Sequence, residues 1–228
     1  NRSAIEHIKK NNHNPNYLRA ADVYASQLDL SSDINRIVAN YDVLIFAIPS
    51  AFLMSELEKL KKSLKNKIVF SAIKGIVPET GLIVGEHFHK EYGIPFDNIG
   101  VITGPCHAEE VAMERLSYLT IACQNPENAK LMSSSLKSWY IKTKTSDDII
   151  GTEYAAMLKN IYAVAAGIAH GLGYGDNFQA VLMSNAIREM KRFIKKVHQM
   201  KRNINNSAYL GDLLVTGYST FSRNRQFG

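Results

Sequence analysis

The chain has 228 residues, 46% of them hydrophobic and 21% charged, with a net charge of +6. Such a chain can bury a sizeable core without disulfide staples, as one large or two modest domains. Its two cysteines, Cys106 and Cys123, form no CxxC and no metal-ligand spacing, so no metal is expected and a reduced, cytoplasmic setting is the default. The longest apolar candidate, residues 161–169, is far too short for a membrane span, and the first twelve residues hold no apolar signal core.

In chain order, residues 4–10 read as a short helix, NNHNPN as a turn cluster and residues 33–39 as a second helix. DVLIFAI at 42–48 is short, apolar and β-branched, which predicts a buried strand. Ser50 can cap a helix over 51–64, apolar at Phe52, Leu53, Leu57, Leu60 and Leu64. A second strand follows at 67–72, a helix at 81–92, a third strand at 99–103 and an acidic-start helix at 107–114. SYLTIAC at 117–123 is a fourth strand, Pro126 opens a helix to about 139, and 140–145 is a fifth strand. This alternation predicts an α/β layer with a mostly parallel sheet.

After Asp147 the pattern becomes helical, so a boundary is placed near residues 146 and 147. Residues 151–176 are apolar on nearly every face, as a core helix requires. Stepping by four gives Ala155, Lys159, Ala163, Gly167 and Gly171, one stripe of small residues around a lysine. Two readings are open. The lysine is an acid/base with room around its ammonium, or it snorkels or pairs with a structural carboxylate. His170, on the same stretch, reads as a core residue rather than a ligand. A second long helix is expected at 177–199, then a polar connection and a mixed C-terminal segment.

The basic residues are densest from Arg188 to Arg202, with Ile187, Met190, Ile194 and Val197 at helical spacing. That pattern suits a solvated face of an amphipathic helix; a nucleic-acid-binding module is the alternative from another class. In an open α/β sheet, ligands bind beyond the carboxyl ends of the strands. Three of those ends carry small or polar residues: Pro49-Ser50, Lys74-Gly75 and Gly104-Pro105-Cys106. With a lysine for anions and glycines for close approach, they suggest a cleft for a phosphorylated ligand.

SAIKGI (71–76), GPCHAEEV (104–111), LKNIYAVAAGIAHGLGYGDN (158–177) and LGDLLVTGYSTFSRNRQFG (210–228) together resemble bacterial NAD(P)-dependent glycerol-3-phosphate dehydrogenase. The motifs stand in family order and span nearly the whole chain. The resemblance implies an α/β fold: a partial Rossmann-type NAD(P)-binding domain over 1–146 and an all-helical substrate domain over 147–228. It implies reversible hydride transfer between NAD or NADP and dihydroxyacetone phosphate, giving sn-glycerol 3-phosphate for glycerophospholipid synthesis.

By the same resemblance, Lys159 is the proton donor/acceptor, and Lys74 touches both substrate and cofactor and helps lower the pKa of Lys159. Gly104 and Cys106 face the substrate, and Ala108 and Tyr17 the cofactor. Asp212 orients substrate hydroxyls. Ser222, Arg223 and Asn224 grip the phosphate, with Arg223 also reaching the cofactor. The partner is a small molecule, not nucleic acid; a homodimer is the assembly the resemblance allows. A related β-hydroxyacid dehydrogenase is the runner-up, although such sites lack the SRNR grip.

The sequence also departs from the resemblance. It contains no GxGxxG loop, so the first strand and its phosphate loop, and the last helices, are expected to be missing, with weak NAD(P) binding as the consequence. His107 stands where phenylalanine is common, and Asn185 where arginine is common.

Overall fold

The computed structural model of the chain describes residues 1–19 and 21–228. Helix α1 (Arg2–Asn11) is closed by Asn12 in the left-handed region at φ 55°, which asparagine tolerates better than most side chains. Helix α2 (Ile34–Asn40) begins where the Asp33 carboxylate accepts from the Asn35 N–H at 2.9 Å. Strands β1 (Val43–Phe46), β2 (Ile68–Ser71), β3 (Ile99–Thr103), β4 (Ser117–Cys123) and β5 (Ile141–Ser146) follow. Between them lie α3 (Leu53–Leu57), α4 (Val84–Tyr92), α5 (Ala108–Ala112) and α6 (Pro126–Leu136).

The five strands form one sheet in sequence order. β1, β2 and β3 pair in parallel, as do β4 and β5, but β3 and β4 are antiparallel. The 104–116 link holds only one five-residue helix and does not recross the sheet, so β4 returns from the edge where β3 ended. The carboxyl ends of β1, β2 and β3 therefore share one edge. Val38, Leu53, Leu57, Val69, Val84 and Phe88 pack into the core beside these strands. Gly100 on β3 leaves the space that the Phe70 ring fills; a Cβ there would strike the ring.

The helical half consists of α7 (Ile149–Gly171), α8 (Asp176–Val197), a π-helical turn (Ser207–Gly211), α9 (Asp212–Tyr218) and α10 (Arg223–Phe227). Tyr162, Met183, Met190, Ala208, Tyr209 and Leu213 form its core. α8 is amphipathic: Met183, Ala186, Met190 and Ile194 are buried, while Arg188, Lys191, Arg192, Lys195 and Lys196 are exposed. Asn185 is exposed on the same helix. Among the described residues no helix is long and apolar enough to cross a membrane.

Four helices are shorter than the sequence pattern predicts: α5 and α6 by two or three residues at the C-terminal end, and two others for reasons visible in the structure. The helix over 51–64 is instead a 3-10 turn at Ser50–Phe52 and α3, which ends at Leu57. The Asn35 amide explains the early stop. It donates to the Lys59 carbonyl at 3.0 Å and accepts from the Lys61 N–H at 2.5 Å, holding that backbone out of a helix. Leu64 still reaches the core from a turn. The helix over 81–92 starts at Val84, because residues 76 and 83 form a β-bridge, with the Val77 N–H on the Leu82 carbonyl at 2.8 Å. His170 is not a core residue: it is exposed in the last turn of α7.

Candidate active site

The site is built on α7, and the start of that helix is firmly anchored. The Asp148 carboxylate caps it, accepting from the Gly151 N–H at 3.0 Å. The same carboxylate accepts from Arg202 at 2.7 and 3.0 Å and from the Tyr209 hydroxyl at 2.5 Å. Burial alone would raise its pKa; the hydrogen bonds from Arg202 and Tyr209 more than reverse this and hold it below the usual value. Ile149 packs with Val101 of β3 and Ala122 of β4. Because β5 runs parallel to β4, α7 starts at the sheet edge opposite the ends of β1–β3. Ten residues at about 1.5 Å each then carry Lys159 across to those ends.

The small-residue stripe is real in three dimensions. Ala155, Lys159, Ala163 and Gly167 are buried, while Gly171 is exposed. Gly167 has a packing reason, since a Cβ there would overlap the Arg225 carbonyl of α10. The stripe thus lets α10 lie directly on α7.

Lys159 is buried, its side chain 5% exposed, and its ammonium donates to Oδ1 of Asp212, itself buried. Asp212 stands on the first turn of α9, immediately after the π-helical turn. A π-turn rotates the residues that follow it and is frequent at functional sites. The Thr216 hydroxyl donates to the Asp212 carbonyl at 2.7 Å, and Asp212 Oδ2 is buried without a partner. Burial pushes the Lys159 pKa down to about 8; Asp212 opposes the shift and Lys74 adds to it. Near neutral pH such a group gives or takes a proton with little change in conditions.

Two cavities adjoin here, the first reaching Lys159. One, of about 390 Å³, is lined by Lys74, His107, Lys159, Asn160, Thr216, Phe221, Ser222, Arg223 and Asn224. The other, of about 650 Å³, lies at the carboxyl ends of β1 and β2 and includes Tyr17, Ala47, Ile48, Ser50, Ala72 and Ile73. Lys74, Asn160, Arg223 and Asn224 line both. Ser222 is buried and caps α10, its hydroxyl accepting from the Arg225 N–H at 3.3 Å, which sets Arg223 and Asn224 at the helix start. Gly75, at φ 132°, follows Lys74 in a conformation that side chains resist; a Cβ there would sit 3.3 Å from Ser50 Oγ. The apolar wall of the second cavity suits a flat ring, and Lys74 with Arg223 suits the anionic part of a dinucleotide.

Most of the expected residues converge here: Lys159, Lys74, Asp212, Ser222, Arg223 and Asn224 at the first cavity or bonded into it, and Tyr17 in the second. Cys106 and Ala108 line a neighbouring hollow with Leu18, Asp22, Tyr24 and Tyr140, and the Cys106 thiol still feels the charges of Lys74 and Asp212. Burial pushes the Cys106 thiol pKa up, so it stays a thiol. Gly104 shapes the loop through its backbone: φ is 126°, and a Cβ would press to 2.6 Å on the Tyr118 carbonyl. Asn160, Thr216, Phe221 and His107 line the cleft without having been expected there. Asn160 and Thr216 had a signal, each following a site residue by one or four positions on a helix; Phe221 had none. Glu153 was also missed. It is fully buried on α7, and its carboxylate accepts from the Gly85 N–H of α4 at 2.9 Å. Burial pushes its pKa up to about 8. Among the described residues no group of His, Cys, Asp or Glu side chains could hold a metal ion.

A mostly parallel sheet whose strand ends face a cleft holding a buried lysine from a separate helical half is the arrangement of an α/β protein that binds a small ligand where its two halves meet. Comparison with known proteins is consistent over the whole chain. The family profile described as NAD-dependent glycerol-3-phosphate dehydrogenase N-terminus matches residues 1–129, and its C-terminal counterpart residues 148–228. Glycerol-3-phosphate dehydrogenase [NAD(P)+] of Macrococcus caseolyticus is 32% identical over 228 residues, covering 99% of this chain and 68% of its own length. The DsGPDH structure of Dunaliella salina superposes with a TM-score of 0.88 at 29% identity, covering 99% of this chain and 39% of that one. Glycerol-3-phosphate dehydrogenase from Coxiella burnetii gives 0.86 at 25% identity, with 98% and 68% covered. The chain belongs to the NAD-dependent glycerol-3-phosphate dehydrogenase family.

Proposed function

We propose that this chain carries the reacting centre for reversible reduction of dihydroxyacetone phosphate to sn-glycerol 3-phosphate, with Lys159 as proton donor and acceptor. The observation that carries this reading is the Lys159–Asp212 pair, buried beside a cleft lined by Lys74, Ser222, Arg223 and Asn224. Lys74 and Arg223 attract the phosphate, and the guanidinium fork and Asn224 amide bond its oxygens. That fixes the C2 carbonyl near Lys159. NAD or NADP, when bound, supplies or accepts the hydride at C2. As the carbonyl carbon becomes tetrahedral its oxygen gains negative charge, and Lys159 delivers a proton to it. In the oxidation direction neutral Lys159 removes the hydroxyl proton. Asp212 orients Lys159 and offers Oδ2 to a substrate hydroxyl, while Lys74 polarises the carbonyl and disfavours the charged form of Lys159.

The same reading takes residues 1–146 as the NAD(P)-binding unit and 147–228 as the substrate unit, with Tyr17 on the cofactor side. Gly104, Cys106 and Ala108 then act through the loop that borders the cleft. The reading takes the protein as a cytoplasmic enzyme, able to form a homodimer, that feeds glycerophospholipid synthesis; the exposed basic face of α8 is then solvated and binds no nucleic acid.

The test is Lys159→Ala in the full-length protein, assayed with dihydroxyacetone phosphate and NADH or NADPH. Turnover should fall by at least about 10²-fold, the usual share of a general acid/base, with the folded content by circular dichroism unchanged. Turnover within a few-fold of wild type would sink the proposal.

A further inference from the structure

One group in the cleft has no part in the chemistry above. His107 lines the same cavity as Lys74, Lys159, Ser222, Arg223 and Asn224. Its backbone carbonyl is engaged, accepting from the Val111 N–H at 3.0 Å, which fixes the residue at the start of α5. Its ring lies 6.2 Å from that of Phe221, at 54°. Nε2 is buried and has no hydrogen-bond partner. Three other polar side chains of the cleft are already engaged, Lys159 with Asp212, Thr216 with the Asp212 carbonyl and Ser222 with the Arg225 N–H, whereas Lys74, Asn160, Arg223 and Asn224 face the cavity with His107. A buried nitrogen left unpaired is costly, and a ligand that pairs it recovers that cost.

We propose that His107 is a further substrate-binding residue, its Nε2 donating a hydrogen bond to an oxygen of the phosphorylated substrate held in this cleft. The assignment rests on the reading of the cleft as the site for dihydroxyacetone phosphate. The charge state suits the role. Burial, Lys159 and Lys74 lower the His107 pKa, and Glu109 and Glu110 oppose them. In the free protein the ring is therefore neutral at pH 7, with one N–H to give and no added repulsion against the lysines. A phosphate dianion in the cleft reverses the local field and strengthens the bond.

Two variants of the full-length protein separate this role from packing. His107→Phe keeps a flat ring against Phe221 and removes both nitrogens. His107→Gln keeps a donor and loses the aromatic contact. The expected result is a KM for dihydroxyacetone phosphate raised about tenfold in His107→Phe, as for one lost hydrogen bond. kcat should change less than about threefold, and His107→Gln should lie closer to wild type. The reverse order, with His107→Phe near wild type and His107→Gln impaired, means packing and overturns the proposal, as does an unchanged KM in both. If either variant misfolds, the wild-type protein decides: titration with sn-glycerol 3-phosphate should shift the His107 ring resonances in NMR, and a silent ring overturns the assignment. Wild-type protein that neither binds nor reduces the triose phosphate defeats the functional reading and this inference together. A working wild type with an indifferent His107 defeats this inference alone.

Discussion

Lys159 is held where its proton is exchangeable. With its pKa brought down to about 8 by burial, the two directions of reaction should respond oppositely to pH. On the proposed mechanism reduction needs the charged lysine, so its kcat/KM should fall as pH rises through about 8. Oxidation needs the neutral form and should rise over the same interval; initial rates in both directions from pH 6 to 10 check this. Asp212→Asn should move both limbs downward, because the favourable charge on Lys159 is removed while burial and Lys74 remain. In the proposed mechanism Arg223 acts by binding. Arg223→Ala should raise KM for the phosphorylated substrate by about 10- to 100-fold, the range for hydrogen bonds to a charged group. Arg223→Lys should recover only part, since an ammonium lacks the fork. The sequence singled out Lys159 as a lysine inside an apolar helix, and Arg223 only through the resemblance of its SRNR segment to a family motif. The pairing was not legible: Asp212 lies 53 residues from Lys159, and no local pattern links them.

α7 serves as the axle between the two halves, and its parts can be tested separately. Its start is pinned by Asp148. Removing that carboxylate by Asp148→Ala strands Arg202 and uncaps the helix, at a cost on the order of 3 kcal/mol. In a chain of this size that should lower Tm by about 10 °C, read by thermal denaturation. Its middle is pinned by closeness. Gly167→Val would push α10 off α7, since even a Cβ overlaps the Arg225 carbonyl. The proposed phosphate grip at the start of α10 would then be displaced, and a shift of about 1 Å should cost about 10²-fold in kcat/KM. The glycine was visible in the sequence as part of a stripe, but the stripe alone could not say which helix it admits. The early end of α3 was hidden for a related reason: the Asn35 side chain that stops it comes from 24 residues earlier.

At the scale of the whole chain, Glu153 joins the sheet half to the helical half through the Gly85 N–H. Its pKa is raised from 4.5 to about 8 by burial, with Glu86 adding to the shift. A raised acid gives stability that is complete below the unfolded value and lost as pH rises to the folded one. Unfolding free energy should therefore decline between about pH 5 and 8, by an amount on the order of a few kcal/mol. Glu153→Gln, neutral at every pH, should flatten that decline in urea titrations at pH 5, 7 and 9. An unaltered slope would mean the carboxyl is not the group that titrates.

The sequence by itself determined the alternation of strands and helices, the change to helices after residue 147, the core helix with its lysine and the basic outer face of α8. Each follows from periodicity or composition within a few turns of chain, where local physics suffices. The tertiary structure decided the rest. It turned β4 antiparallel to β3, brought Asp212 to Lys159 through a π-helical turn, and set Cys106 and Ala108 on a neighbouring hollow. It also buried Glu153 and placed His107 in one cavity with Ser222, Arg223 and Asn224. Those outcomes depend on contacts between residues far apart in the chain, whose burial and charge exist only once the two halves have packed.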